Sequence, residues 1–464
     1  MVRNRQEAGR GWPAYVAAGP LLLFSGQYGV KPGAQQLCAS FDDVAGLGPG
    51  APSRFPWVNR MEGPVGAQAI AIYERYRSLL AAEGAEFANL VRYHILQRDK
   101  RFFPVFDRIR RNYETAPPAS TAVGVGRFEP ADKARLCVDA IALRPEAAGT
   151  LGARSVLPGS SRHAAAAHFS HVIGAGPYLF IAGQIPIDTS QPGAPLIRNY
   201  EDIPEEGRFL RVGRSHEDAR NGPIAAQSWF TYDLIRRHLE AEGSSLGEIL
   251  NLTVYLQDMR DFPTFHRVHE RFFPSSPPAL TVVEVGEVGH KGTLIEIEST
   301  AILPGKGIAR RVHAPKGWTA RAHMSPLVDA GGLAFLSGIV GLDASGAPIR
   351  SMRELPAAQR RTVAGQPAAA RDPVALQIDA ILAELATRLA AAGHGLERVA
   401  QLTLFVDSID AFRTIEPVLA RGFGQWRPAL TVIETPWPAP VAGVRVSATA
   451  IAWLGADTPT AARG

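Results

Sequence analysis

The segment Ser275–Val285, SSPPALTVVEV, returns as Gln425–Glu434, QWRPALTVIE, and in degraded form as Thr115–Val125, TAPPASTAVGV. Each copy follows a glycine-containing strand and a helix at a similar offset, so one unit is written three times. The threonines of the three copies, Thr121, Thr281 and Thr431, lie 160 and 150 residues apart. Self-similarity of that length means duplicated domains rather than a short-repeat solenoid. Three modules of ordinary domain size account for the 464 residues.

Two further landmarks recur in the same order. An apolar strand closes on a small-residue turn at Leu21–Gln27, Tyr178–Gln184 and Leu333–Ile339. A helix start then carries proline with glutamine four residues on, at Pro64/Gln68, Pro223/Gln227 and Pro373/Gln377. Proline in a first turn forfeits no helical hydrogen bond. In the second repeat, Phe169–Ile173 and Tyr178–Ile187 flank Gly174-Ala175-Gly176 as a hairpin. Pro223–Ala241 carries Ile224, Leu234, Ile235 and Leu239 on one helical face, and Ile249–Leu256 alternates as a strand. Phe262–Phe273 reads as a second helix, and Thr281–Val285 and Leu294–Leu303 as two more strands.

The order β-β-α-β-α-β-β predicts an α+β unit, one sheet with both helices on one face. Three such sheets in one chain can bury their open faces together about a pseudo-threefold axis, as an intramolecular pseudo-trimer. The modules are placed at 1–145, 163–304 and 317–455, joined by the Gly/Pro-rich stretches Pro145–Arg162 and Pro304–Lys316. Long insertions at Val30–Gly63, Thr189–Gly222 and Ala344–Asp372 read as functional lids or disordered segments.

Composition narrows the function. The formal charge of +5 is spread along the chain with no Lys/Arg block, which argues against nucleic acid as a partner. Cys38 and Cys137 are far apart with no CxxC, so neither a disulfide framework nor a thiolate zinc site is expected. No apolar run is long enough for a signal core or a membrane span, so a cytoplasmic protein without membrane contact is expected. No P-loop, dinucleotide fingerprint or nucleophile elbow occurs, and no metal or other cofactor is expected.

The series SGQ/AGQIPID, helix, NLTVYLQDMRDFPTFHRVHERFF, PALTVVEV and IEIESTAIL resembles the Rid family, the reactive intermediate deaminases also called YjgF-like. The resemblance covers nearly all of the second repeat, most of the third and a weaker first. It implies the α+β, chorismate-mutase-like unit, subunit clefts that take a small-molecule ligand, and hydrolysis of imines or enamines; pseudo-trimers could associate further. Carried over by motif, Ser25-Gly26-Gln27 and Ala182-Gly183-Gln184 match the strand-end ligand loop, with Ser337-Gly338-Ile339 in the third copy. Trp12, Phe169 and Met324 match an aromatic site residue. Glu298 and Asp139 match the acid that positions water, with Ser447 in the third copy. The helix position that reaches into the neighbouring cleft is Asp107, His266 or Glu416. One departure is consequential: the family's carboxylate-binding arginine is replaced by Ser120, Leu280 and Leu430, and neither residue type can supply a guanidinium fork.

Chemistry is therefore expected from Glu298 or Asp139 orienting water, with His266 moving protons beside a carboxylate such as Asp139. The bland alternatives are that Glu296 and Glu298 share a face toward water or a helix, and that His266 is an exposed helix residue. Arg60, Arg220 and Arg371, each just before a helix start, could form an anion site in place of the missing arginine or lie as surface loop residues. Arg208, Arg211 and Arg214 offer the same choice from the second insertion. A chorismatase-like hydrolase, since those enzymes share the fold and lack that arginine, and a non-catalytic metabolite-binding protein are the competing readings.

Overall fold

The computed structural model describes residues 11–456 except 35, 130, 132, 147–150, 158, 160–166 and 357–371, together with the backbone of 460–462. The long helices Pro56–Ala81, Ser215–Ala241 and Pro373–Ala391 stop in the same way. Each is followed by a glycine with positive φ: Gly84 (67°), Gly243 (77°) and Gly393 (81°). That left-handed position closes a helix end without a Cβ clash.

Their beginnings differ from expectation. Pro373 does open its helix, and the Asp372 side chain accepts from the Val374 N–H at 2.9 Å. Pro64 and Pro223 instead lie inside helices that start eight residues earlier, at Pro56 and Ser215. The carbonyl that each internal proline leaves unbonded belongs to an exposed turn where water can satisfy it. Arg60 and Arg220 are consequently exposed helix residues, not loop residues ahead of a helix N-terminus. Arg371 falls outside the described residues, as does most of the third insertion.

The second repeat shows the sheet most plainly. Its strands run in the order Ala279–Glu284, Ile249–Leu256, Ile295–Ile302, Tyr178–Gln184, Val172–Ala175 and Ser155–Leu157. The first pair is parallel and the others antiparallel. The other two sheets follow the same order. The joins expected to be plain linkers each add an edge strand: Ser155–Leu157 to the second sheet and Arg311–His313 to the third. Thr460–Ala462 does the same for the first sheet by pairing with Tyr15–Ala18. Edges that would otherwise invite outside pairing are covered. Among the described residues no helix is long and apolar enough to cross a membrane.

Each helix pair covers one face of its own sheet with a separate apolar core. The opposite faces are buried jointly. Val16, Leu23, Ile173, Phe180, Val328 and Phe335, two from each sheet, belong to one shared cluster. Leu96, Tyr255 and Phe405 belong to a second.

Hydrogen bonds run from each sheet to the next. The Leu430 N–H donates to Ser25 Oγ at 2.8 Å, which donates onward to the Pro13 carbonyl at 2.6 Å. In the same way the Leu280 N–H donates to Ser337 Oγ at 2.8 Å, and that hydroxyl to the Ser325 carbonyl at 2.6 Å. The second repeat has Ala182 at this position. Ser337→Ala should therefore fold but lose about 1–2 kcal/mol, because it strands a buried N–H and a carbonyl; a lowered urea midpoint checks it.

Candidate functional site

A one-residue bulge near the start of each middle strand, at Leu90/Arg92, Ile249/Asn251 and Val399/Gln401, decides which side chains face the other sheets. After it, Arg92, Asn251 and Gln401 are equivalent, and so are His94, Thr253 and Thr403. The paired last strands put Asp139 opposite His94, Glu298 opposite Thr253 and Thr449 opposite Thr403. The third counterpart of Asp139 and Glu298 is thus Thr449, not Ser447. Ser447 sits opposite Phe405, in register with Glu296 opposite Tyr255 and Cys137 opposite Leu96.

The first register makes a closed ring of side chains where the sheets meet. Thr121 Oγ1 donates to Glu298 at 2.6 Å, Thr431 Oγ1 to Asp139 at 3.0 Å, and Thr281 Oγ1 contacts Thr449 Oγ1 at 3.1 Å. His94 bridges the two carboxylates, with Nδ1 2.5 Å from Asp139 and Nε2 2.9 Å from Glu298. Burial opposes a charged imidazole, but Glu298 and Asp139 outweigh it and push the His94 pKa up to about 10. Burial likewise opposes ionisation of Glu298, while His94 and Arg92 draw it down to about 2. An imidazolium clamped between two carboxylates is a satisfied internal ion cluster. Both oxygens of Glu298, expected to orient water, are already used, and such an acidic carboxyl is a weak base.

Asp139 pairs with His94, which corrects the expected partnership with His266. His266 lies on the helix Phe262–Phe272, where its Nε2 accepts the His323 N–H of the third repeat at 2.9 Å. Asp107 does the equivalent job, accepting the His168 N–H at 3.0 Å while paired to Arg110 at 2.6 Å and Arg111 at 2.8 Å. Burial lowers the His266 pKa. Asp107 and His266 thus reach the neighbouring repeat and hold its backbone. Glu416, in the third repeat, is half-buried.

The second register lies against the strand-end glycines, and its Ser447 lines the cleft between the second and third repeats. A Cβ on Gly183 would stand 2.2 Å from Glu296 Oε1, and one on Gly26 2.6 Å from Cys137 Sγ, so these strand-end glycines make room for the side chains opposite. Glu296 Oε1 faces the Ala122 N–H at 3.4 Å, from the first repeat, and Oε2 the Gly289 N–H at 3.3 Å. Lys100 Nζ donates to the Ala122 carbonyl at 2.5 Å. Burial raises the Glu296 pKa, against the nearby charge of Lys100, and lowers that of Lys100 against Glu296 and Glu287. Lys100 stands where the other repeats bury Met259 and Ile409. That contrast was available from the sequence at equal offsets.

The remaining expected residues are mainly structural. Gln27 Nε2 donates to the Ser25 carbonyl at 2.8 Å, and Gln184 Nε2 to the Ala182 carbonyl at 2.9 Å. Gln184 Oε1 lies 3.1 Å from the buried His238, whose pKa burial lowers to about 3. Phe169 packs on His171 with ring centres 5.0 Å apart, and Trp12 lies under Arg427 at 5.2 Å. Arg208 caps the Ile203 carbonyl at 2.7 Å, while Arg211 and Arg214 pair with Glu201 at 3.5 Å and Glu217 at 3.2 Å.

The cleft between the second and third repeats is open, with a volume of about 720 Å³. Leu280, Gly338, Met324 and Ser447 line it.

Residues 211–303 and 314–452, half of the chain, match the family described as Endoribonuclease L-PSP. A RutC family protein of Pyrococcus horikoshii is 37% identical over 133 residues, 29% of this chain and 85% of that one. The 3-aminoacrylate deaminase RutC of Acinetobacter baylyi is 29% identical over 119 residues, 25% of this chain and 94% of that one. The 2-iminobutanoate/2-iminopropanoate deaminase of Escherichia coli is 35% identical over 82 residues, 17% of this chain and 63% of that one. The solved structure of RidA from the Antarctic bacterium Psychrobacter sp. PAMC 21119 aligns at 24% identity and a TM-score of 0.24, covering 32% of this chain and 98% of that one. The family match over half of the chain and the RutC family relative of Pyrococcus horikoshii, with the repeated strand-turn and Pro-Ala-x-Thr motifs, make the chain a member of the Endoribonuclease L-PSP family, the Rid or YjgF-like proteins to which RutC belongs.

Proposed function

We propose that this chain is a Rid-like deaminase that hydrolyses an imine or enamine in the cleft between its first and second repeats. Glu296 is the general base. The observation that carries this reading is the contrast among Glu296, Cys137 and Ser447: of three positions equivalent in strand register, one holds a carboxylate, and burial raises its proton affinity. The relatives named as 3-aminoacrylate and 2-iminobutanoate/2-iminopropanoate deaminases support the reaction class.

In the proposed reaction, Glu296 takes a proton from water as the oxygen adds to the C=N carbon. Protonation of nitrogen and collapse of the carbinolamine release ammonia and leave a carbonyl product. An enamine is first protonated on carbon. The Ala122 N–H and the Lys100 ammonium lie beside the carboxylate, where they can meet negative charge on the substrate. Ser120 cannot replace the family's arginine fork, so the substrate's own carboxylate is either absent or held by another group.

The three modules, 1–145, 163–304 and 317–455, act in this proposal as the three subunits of an intramolecular pseudo-trimer, with three chemically different clefts. The cyclic pattern of bonds from Ser25, Ser337 and the threonine ring supports it.

Ammonia release from imines generated in situ tests the assignment. Glu296→Gln is expected to lower kcat/KM at least about 100-fold with little change in thermal stability. Since the base works deprotonated and its pKa is raised, wild-type turnover should fall on the acid side at a higher pH than an ordinary carboxylate would give. Unchanged turnover in Glu296→Gln would overturn the proposal.

A further inference from the structure

We infer that the cleft between the second and third repeats is a binding site for an α-amino acid with a bulky apolar side chain, held without turnover. The cleft has Ser447 in place of Glu296, so it lacks the base, yet it is large and is lined by Arg388 and Glu384. Its volume of about 720 Å³ is within the range of small-molecule sites, roughly 300–1,000 Å³.

Arg388 is the central observation. It occupies the helix position held by Leu79 in the first repeat and His238 in the second, so the fold does not demand an arginine there. Its side chain is buried, with 5% exposure, and lines the cleft. Nε donates to Glu384 Oε1 at 2.8 Å and Nη1 to the Ser337 carbonyl at 2.9 Å, with a longer 3.4 Å contact to that of Pro326. Nη2 has no partner among the described residues. Neither does Glu384 Oε2, and Glu384 also lines the cleft. A free guanidinium N–H beside a free carboxylate oxygen complements the two ends of a zwitterion.

The edge strand adds a donor. The Leu280 N–H points to Ser337 Oγ at 2.8 Å and the Glu284 N–H to the Trp437 carbonyl at 3.0 Å. Backbone groups alternate along a strand, so the Val282 N–H between them points the same way, into the cleft. Its counterpart in the first repeat, the Ala122 N–H, meets Glu296, a carboxylate that Ser447 does not supply here.

Charge and shape agree with that ligand. Arg321 and Arg388 are matched by Asp343 and Glu384, so the lining is balanced and disfavours a bare ion of either sign. Asp343 Oδ1 is held by its own turn, accepting from the Ser345 N–H at 2.8 Å and the Ala347 N–H at 3.0 Å, whereas Glu384 is the carboxylate bonded directly to Arg388, which sets Glu384 beside the guanidinium for an ammonium. Trp318, Met324, Phe262, Pro438 and Val441 provide apolar wall for a large side chain.

Calorimetric titration of the full chain with L-tryptophan, indole-3-propionate and tryptamine tests this. L-tryptophan should bind one per chain, and each half-molecule at least tenfold more weakly. Arg388→Leu, the residue type of the first repeat, should weaken L-tryptophan tenfold or more. Should that variant fail to fold, Glu384→Gln provides an independent measurement: it should weaken L-tryptophan but leave indole-3-propionate unchanged. Glu296→Gln should bind L-tryptophan like the wild type whether or not it has lost turnover. No saturable binding, equal affinity for either half-molecule, or loss of binding in Glu296→Gln would overturn the assignment.

Discussion

Replacing His94 by leucine should destabilise the protein by about 3–5 kcal/mol, the cost of leaving buried charges without their partner. Among the described residues the imidazole is the only group bonded to both Asp139 and Glu298, and both carboxylates are almost fully buried. Removing it leaves two negative charges facing each other, with Arg92 as the remaining nearby cation and Thr431 and Thr121 as hydrogen-bond partners. The third repeat suggests the compensating change, because it builds the same positions from Thr403 and Thr449. In an Arg92→Gln background, which copies Gln401 and leaves no buried cation behind, converting His94, Asp139 and Glu298 together to threonine should recover most of the loss, since neutral replacement of a buried ion cluster is often nearly free. Chemical denaturation of the single and triple variants measures both effects; a triple variant no better than His94→Leu would refute the ion-cluster account.

The same cluster predicts a pH dependence with a definite sign. His94 has its pKa raised to about 10, so its contribution is complete below the ordinary value of about 6.5 and is lost as pH rises toward 10. Glu298 has its pKa lowered to about 2, so its contribution is complete above about 4.5 and is lost as pH falls toward 2. Together they place the most stable interval near pH 4.5–6.5. The triple threonine variant should lose both flanks of that profile.

Arg92→Leu is expected to cost about 3–5 kcal/mol, on the scale of three buried acceptors left unpaired. The guanidinium crosses from the first sheet into the second, where Nη2 reaches the Ile181 carbonyl at 3.1 Å and also the Ser299 carbonyl, and Nη1 reaches Thr300 Oγ1 at 2.9 Å. Ile181 lies at the register break in its strand, so its carbonyl falls where the ladder is interrupted. The equivalent carbonyls are met differently. Phe24 receives Gln401 Nε2 at 2.9 Å, and Leu336 receives Thr449 Oγ1 at 3.2 Å. Arg92→Gln should therefore retain part of what Arg92→Leu loses, because an amide already does this work at Gln401. Equal losses in the two variants, read from urea midpoints, would show that packing or the charge lost beside Glu298, rather than carbonyl satisfaction, sets the cost.

The residues differ in how far the sequence reveals them. Gly84, Gly243 and Gly393 mark helix ends because the left-handed conformation is a local demand on one residue. Ile249–Leu256 was legible residue for residue from its alternation. Pro64 and Pro223 misled, because a proline inside a helix and one at its start share the same flanking pattern. Glu296 and Glu298 are both visible as acids of one strand face, but which of them meets a cleft depends on the sheet across from it. The assignment of Ser447 slipped by two residues for a related reason: period-two alternation keeps parity and says nothing about register.

By itself the sequence determined three copies of one α+β unit, the order of their strands and helices, and the loss of the arginine fork. Those properties follow from periodicity, turn chemistry and residue identity, which act over a few neighbouring residues. Only the tertiary structure decided that His94 joins Asp139 to Glu298, that Glu296 faces the strand-end glycine, and that Arg388 lines the cleft between the second and third repeats. Such pairings depend on bulges and on contacts between sheets roughly a hundred or more residues apart. A shift of one residue in any of them would turn a different side chain toward the site.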